Sequence, residues 1–170
     1  MKPRGNLLTA LLFLFSILIL TTDEAQVREL KVEKIDKKKL EDILKNRNQK
    51  LLFLNLWATW CVPCREEFPD IIKLVNDYKN KPIDFYGISI DYPDEVNSKV
   101  IPFLKKQKAN FTSFVNGFDK DEDLINMLDK NWNGALPSTF IFDKSGKKVS
   151  LLEGKQTYKI FKNELDRLLK

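Results

Sequence analysis

A strand leads into a helix through a pair of cysteines between residues 51 and 79, and this junction constrains the fold more than any other part of the chain. Residues 51–56 (LLFLNL) are almost continuously apolar, as expected for a strand that is covered on both faces. The next segment, 63–79, repeats apolar residues at helical spacing. These residues are Phe68, Ile71, Ile72, Val75 and Tyr78. A buried strand followed by an amphipathic helix predicts a layered α/β fold.

The rest of the chain continues the alternation of helices and strands. Before the cysteines, a polar link leads to Asp36, which is placed to cap a helix that extends to Arg47. The elements predicted after the cysteines are a strand at 83–91, a helix at 93–109, a strand at 111–115, a helix at 121–130, strands at 138–142 and 148–152 with a tight turn between them, and a closing helix. This order predicts an α/β sandwich with a mixed sheet.

The two cysteines admit three kinds of chemistry. A structural zinc site needs four ligands, usually cysteine and histidine, but Cys61 and Cys64 are the only cysteines and the chain has no histidine. We therefore predict no metal. A purely structural disulfide would enclose two residues, so it would constrain the unfolded chain less than any longer bridge. The third alternative is a redox couple.

The surroundings of the cysteines favour the redox couple. Cys61 is predicted at the N-terminus of the 63–79 helix, where unpaired N–H groups and the helix dipole stabilise a thiolate. Pro63 suits the first turn of that helix. Cys64 follows one turn later, close enough for the two sulfurs to bond. We expect an exposed Cys61 to be the nucleophile and a shielded Cys64 to resolve the mixed disulfide by thiol–disulfide exchange.

Two separated motifs resemble one family. Residues 55–69 (NLWATWCVPCREEFP) are similar to the active-site segment of the TlpA/ResA-like thiol-disulfide oxidoreductases of the thioredoxin superfamily. Residues 134–140 (GALPSTF) resemble the cis-proline loop of that family. The similarity extends from about residue 35 to the C-terminus. It implies a thioredoxin fold, with a mixed central sheet flanked by helices and an extra helix–strand insert at 93–115.

The resemblance also implies residue roles. Cys61 corresponds to the attacking cysteine and Cys64 to the resolving one. Asn55 stands where cytoplasmic thioredoxins commonly have a proton-handling aspartate, and an amide cannot titrate. Glu67 matches the acidic residue that the TlpA/ResA branch places near its cysteines, so we assign it the proton role; a solvated carboxylate in the first helical turns is the alternative. The residues expected to contact the substrate are Trp60, Pro63, Leu136 and Pro137.

The resemblance implies that the partners are protein thiols and disulfides. It further implies that the only redox group is the Cys61–Cys64 disulfide, with no added cofactor. It favours a reductant supplied by a membrane electron donor over a general oxidant. The net charge of +5 comes from scattered lysines, so we predict no nucleic-acid partner. Two alternatives stay open: a thiol peroxidase of the related peroxiredoxin branch, and a non-catalytic binding module with the same fold.

The first 25 residues form a separate segment. Lys2 and Arg4 precede an uncharged apolar run at 7–20, which is the pattern of an export signal. The run is shorter than the ~20 residues that span a bilayer, but its cleavage pattern is poor, so a cleaved signal and an N-terminal membrane anchor both stay open. We predict one thioredoxin-like domain at 26–170, located in the periplasm or on the outer face of the cytoplasmic membrane.

Overall fold

Six strands form one mixed sheet in the computed structural model, which describes residues 30–170. The strands are β1 Val32–Ile35, β2 Leu51–Trp57, β3 Ile83–Ser89, β4 Thr112–Asn116, β5 Ser138–Phe142 and β6 Lys148–Glu153. Their order across the sheet is β1-β4-β3-β2-β5-β6. The first four strands in this order are parallel to one another, whereas β5 runs antiparallel to β2 and β6 antiparallel to β5. The predicted mixed sheet is confirmed. The predictions for residues 1–25 lie outside the described residues.

The regular helices lie close to their predicted positions. They are α1 Lys37–Lys45, α2 Val62–Asp77, α3 Ile101–Gln107, α4 Asp121–Leu128 and α5 Tyr158–Leu168. Asp36 caps α1 as predicted, because its carboxylate accepts a hydrogen bond from the Lys39 N–H at 2.8 Å. Helix α2 continues through Pro69, which lies inside it.

The helix predicted at 93–109 is irregular in the structure. It consists of a 3-10 turn at Pro93–Glu95, a π-helical turn at Val96–Val100 and then α3. Pro102 has no N–H, so it cannot continue the ladder of hydrogen bonds at the start of α3. The backbone N–H of the preceding residue, Ile101, donates to the carbonyl of Val96, five residues back, which is the hydrogen-bond pattern of a π-helix.

Both faces of the sheet are covered, which explains why every residue of β2 is buried. Leu52, Leu54 and Leu56 pack on one face with residues of α1 and α4. Leu51 and Phe53 pack on the opposite face with residues of α2 and α5. The alternation follows from the two-residue period of a strand. A third cluster surrounds the cysteines and includes Trp57 and Phe68.

Strand β1 lies where the sequence predicts a polar link. Two of its four residues, Glu33 and Lys34, are charged, and only Ile35 is fully buried. The strand lies at the edge of the sheet and pairs only with β4. The predicted insert therefore places its strand, β4, between β1 and β3.

Candidate active site

A disulfide joins Cys61 and Cys64 at the junction between β2 and α2. Cys61 is the N-cap of α2 with an extended backbone, and Cys64 lies in the first turn, so their Cα atoms are 5.3 Å apart. The Cys64 N–H points at the Sγ of Cys61 across 3.3 Å. Pro63 lies between them, where its missing N–H leaves no intrahelical bond unmade. The helix N-terminus thus directs a backbone donor at the outer sulfur.

The two cysteines are less exposed than the sequence predicted. In the disulfide form Cys61 is 6% exposed and Cys64 is 1% exposed, because both pack in the cluster around Trp57 and Phe68. The order of exposure agrees with the predicted order, since Cys61 retains the larger accessible fraction. An incoming sulfur would therefore reach Cys61 before Cys64.

Glu67 is a buried carboxyl group on the same helix, one turn beyond Cys64. Its side chain is 1% exposed, and residues three apart on a helix share a face. Asn55 donates to its Oε1 at 3.0 Å, and the backbone N–H of Gln156 donates to its Oε2 at 2.7 Å. Burial raises the pKa of Glu67 to about 7. The two hydrogen bonds lower this pKa, but they offset only part of the rise. The group can therefore exchange a proton near neutral pH.

Asn55 links Glu67 to the strand that follows the proline loop. It is 2% exposed, and its Nδ2 donates both to Glu67 and to the Thr139 hydroxyl, at 3.0 Å each. Thr139 pairs with Asn55 in the sheet register, so the bond joins neighbouring strands β2 and β5. An amide that uses both of its N–H groups in this way holds the carboxyl group in one orientation.

The loop before β5 lies beside the disulfide. The Leu136–Pro137 peptide bond is cis, Pro137 is buried, and Leu136 packs against the cluster that contains both cysteines. Ser138 anchors the loop: its hydroxyl donates to the Ala135 carbonyl at 2.8 Å and accepts from the Trp132 indole at 3.1 Å.

Trp60 and Pro63 lie at the surface around the outer cysteine. Trp60 is 63% exposed, and Pro63 is also exposed. The structure therefore brings Cys61, Cys64 and Glu67 together on α2 and leaves the side chain of Trp60 open to solvent at the same end of the sheet. The carboxyl ends of parallel strands are where open α/β sheets bind ligands.

Asp91 is a site residue that the sequence analysis missed. It is 2% exposed and accepts hydrogen bonds from the Thr59 N–H at 2.9 Å, from the Thr59 hydroxyl and from the Ser89 hydroxyl. Thr59 lies two residues before Cys61, so Asp91 ties the active-site loop to the end of β3. An aspartate directly after a buried strand (GISID, 87–91) was the available signal.

Metal ligands do not converge in the part of the chain that the structure describes. Among residues 30–170, no group of three or more histidine, cysteine, aspartate or glutamate side chains could hold a metal ion.

Comparison with known proteins agrees with this geometry. The sequence matches the AhpC/TSA family over residues 21–149. It is 34% identical over 137 residues to the thiol-disulfide oxidoreductase ResA of Bacillus cereus (strain ZK / E33L), an alignment that covers 81% of this chain and 73% of the relative.

Solved structures share the fold. A thiol:disulfide interchange protein of the thioredoxin family from Chlorobium tepidum TLS superposes with a TM-score of 0.61 at 24% identity, covering 75% of this chain and 83% of that one. A DsbF homologue from Corynebacterium diphtheriae superposes with a TM-score of 0.59 at 23% identity, covering 71% and 73%.

The fold, the disulfide and the sequence relatives together define a thiol-disulfide oxidoreductase with a thioredoxin fold. The chain belongs to the AhpC/TSA family of the thioredoxin superfamily and, within that superfamily, to the thiol-disulfide oxidoreductases related to ResA.

Proposed function

We propose that this oxidoreductase exchanges disulfides with partner proteins through Cys61 and Cys64, and that it acts in the net direction of a reductant. The observation that carries the proposal is the disulfide at the N-terminus of α2, in which Cys61 keeps more accessible surface than Cys64. A helix N-terminus stabilises the thiolate that must attack.

The reduced protein would react in two steps. The Cys61 thiolate attacks one sulfur of the partner's disulfide; the partner's S–S bond breaks, and its other sulfur leaves as a thiolate. The Cys64 thiolate then attacks the Sγ of Cys61 in the mixed disulfide and releases the second partner sulfur. The protein loses two electrons and the partner gains them. Continued turnover requires a dithiol donor, which we propose is a membrane protein, as the resemblance to the ResA branch implies.

Glu67 supplies a proton acceptor for the second step. Attack by Cys64 requires its thiolate, and Asn55 cannot titrate. A carboxyl group with a pKa of about 7, one helical turn from Cys64, exchanges protons in the range where the reaction must run. We assign the contacts with the partner's backbone and side chains to Trp60, Pro63, Leu136 and Pro137.

An insulin reduction assay tests the proposed activity. With dithiothreitol as the electron donor, the full chain is expected to speed the reduction of insulin disulfides well above the rate with the donor alone, and to consume hydrogen peroxide no faster than a Cys61→Ser/Cys64→Ser control. Peroxide consumption without insulin reduction would instead support a thiol peroxidase. A chain that does neither would be a binding module.

Export is the second part of the proposal. We infer that residues 1–25 direct the 26–170 domain across the cytoplasmic membrane, to the periplasm or the outer face of that membrane, because of the charged start and the apolar run at 7–20. Within residues 30–170, no helix is long and apolar enough to cross a membrane.

Cell fractionation with mass measurement of the mature N-terminus tests export. The domain is expected outside the cytoplasm, either still attached to the membrane with residues 7–20 intact or soluble with a new N-terminus near residues 22–26. The first result identifies an anchor and the second a cleaved signal. A full-length protein in the cytoplasmic fraction would contradict export.

A further inference from the structure

A cavity of about 630 Å³ lies beside the active-site loop, at the carboxyl ends of the parallel strands. It is lined by Trp60, by residues 90–93 after β3, by residues 116–119 at the end of β4, and by Lys34 and Asp121. We call this cavity the Trp60 groove. Trp60 directly precedes Cys61 in the chain, so the groove borders the active-site loop.

Exposed apolar side chains concentrate around this groove. Four large apolar side chains are exposed among residues 30–170, and three of them are Trp60 at 63%, Val62 at 57% and Tyr92 at 74%. Trp60 and Tyr92 line the groove, and Val62 follows Cys61. Rigid aromatic side chains that stay open to solvent beside a reactive centre are typical of a surface that contacts another protein.

The charge of the groove is opposite to that of the protein. The chain carries a net charge of +5, yet the groove is lined by Asp91, Asp119 and Asp121 and by a single cation, Lys34. Asp91 is buried and bonded to Thr59, but Asp119 and Asp121 are exposed. Two exposed carboxylates next to two aromatic faces attract a cation, which gains both ionic and cation–π contacts.

We propose that the Trp60 groove binds a lysine or arginine side chain of the partner protein, within about three residues of the cysteine that Cys61 attacks. The inference rests on the proposed function, since it names which partner segments that function prefers. An apolar segment in the groove would cover the two carboxylates without pairing with them, which costs free energy. A second copy of this chain also carries a net positive charge, so the two copies would repel each other.

Peptide disulfides of defined charge test the proposal. Three synthetic peptides, each with one cysteine and each supplied as its symmetric disulfide dimer, differ only in two flanking residues, which are lysine, glutamine or glutamate. The reduced full chain is expected to reduce the lysine peptide about tenfold faster than the glutamate peptide, and raised salt should weaken that preference. A fourth peptide, flanked by leucine, reports on apolar docking.

Matched variants locate the effect. Asp119→Asn/Asp121→Asn is expected to reduce the lysine-to-glutamate rate ratio to about twofold, because it removes the two exposed carboxylates of the groove. Glu122→Gln/Asp123→Asn makes the same change in net charge close by in the chain, at exposed residues of α4 that do not line the groove, and should keep the wild-type ratio. Comparing this rate ratio between the variants and the wild type cancels any difference in the intrinsic reactivity of the peptide sulfurs, because that difference is the same for every variant.

Each of the other possible results contradicts either the groove proposal or the proposed function. If the protein reduces bis(2-hydroxyethyl) disulfide but shows no preference among the charged peptides, the groove proposal is wrong and the proposed function stands. Equal loss of preference in both double variants would assign the effect to bulk charge, which also overturns the groove. Preference for the leucine peptide would replace the cation with an apolar ligand. If no disulfide is reduced at all, the proposed function itself fails.

Discussion

Cys64→Ser is expected to turn the protein into a covalent trap for its partners. The variant retains the Cys61 thiolate, so it can attack a partner disulfide, but it has no second thiol to release the mixed disulfide. Incubated with oxidised partner proteins, it should accumulate adducts that a reductant removes. Non-reducing electrophoresis followed by mass measurement of the linked peptides detects these adducts and identifies the bonded cysteine.

Cys61→Ser is the matched variant for this experiment, and it should form no adducts and lose disulfide exchange by about 10³-fold or more. The reason is geometric: Cys64 is 1% exposed and lies behind Cys61, so it cannot replace the outer thiol. Alkylation of the reduced wild type should label Cys61 first for the same reason. Adducts on Cys61→Ser, or faster labelling of Cys64, would reverse the two roles.

The sequence predicted the fold wherever burial was continuous. Strand β2 is covered on both faces, so its residues are almost continuously apolar and the sequence pattern predicts a buried strand. Strand β1 is an edge strand of four residues, and two charged side chains in it erase the alternation that marks a longer strand. The π-helical turn at Val96–Val100 preserves helical spacing in the sequence, so only the hydrogen-bond pattern reveals it.

Residue spacing alone predicted the candidate site only where one short segment contains it, whereas the loop at 134–140 was predicted from its resemblance to a family motif. Cys61, Cys64 and Glu67 share a helix, so their spacing already places them on neighbouring turns. The partners of Glu67 are distant in sequence: Asn55 comes from β2 and Gln156 from the segment after β6. The sequence therefore left open the alternative that Glu67 is a solvated carboxylate, because its burial depends on how these distant elements pack.

Asp91 and the Trp60 groove were missed for a related reason. Asp91 acts on the active-site loop through Thr59, 32 residues earlier in the chain. The groove combines the active-site loop with the ends of β3 and β4, which meet only because β4 inserts between β1 and β3. A sequence pattern records neighbours along the chain, and these contacts depend on the order of strands in the sheet.

Glu67→Gln is expected to remove a large pH dependence from the stability of the disulfide form. Burial raises the pKa of Glu67 from 4.5 to about 7, so between these values the folded protein keeps a proton that the unfolded chain has released. The free energy of unfolding must then decrease as the pH rises through this window. The contribution is complete below about pH 4.5 and is lost above about pH 7, and it corresponds to about 3 kcal/mol.

Denaturant unfolding of the oxidised protein at about pH 4.5 and about pH 8 measures this contribution. Glutamine stays neutral at both values, so the stability of wild type relative to Glu67→Gln should fall by about 3 kcal/mol between the two. Glu66→Gln is the matched control. Glu66 is exposed and paired with Lys155 at 2.7 Å, which lowers the pKa of Glu66, so any effect of the control should be small and of opposite sign.

The same substitution should change the chemistry of the reduced pair. An ionised Glu67 one turn from Cys64 opposes a second negative charge there, so Glu67→Gln should shift the pH profile of thiol alkylation to lower pH. It should also slow the release of mixed disulfides, because the local proton acceptor is gone. Stopped-flow measurements over a range of pH separate the two effects, with Glu66→Gln expected to match wild type in both. Coincident profiles for wild type and Glu67→Gln would leave Glu67 a buried structural group, since a carboxyl that neither repels the thiolate nor accepts its proton takes no part in the exchange.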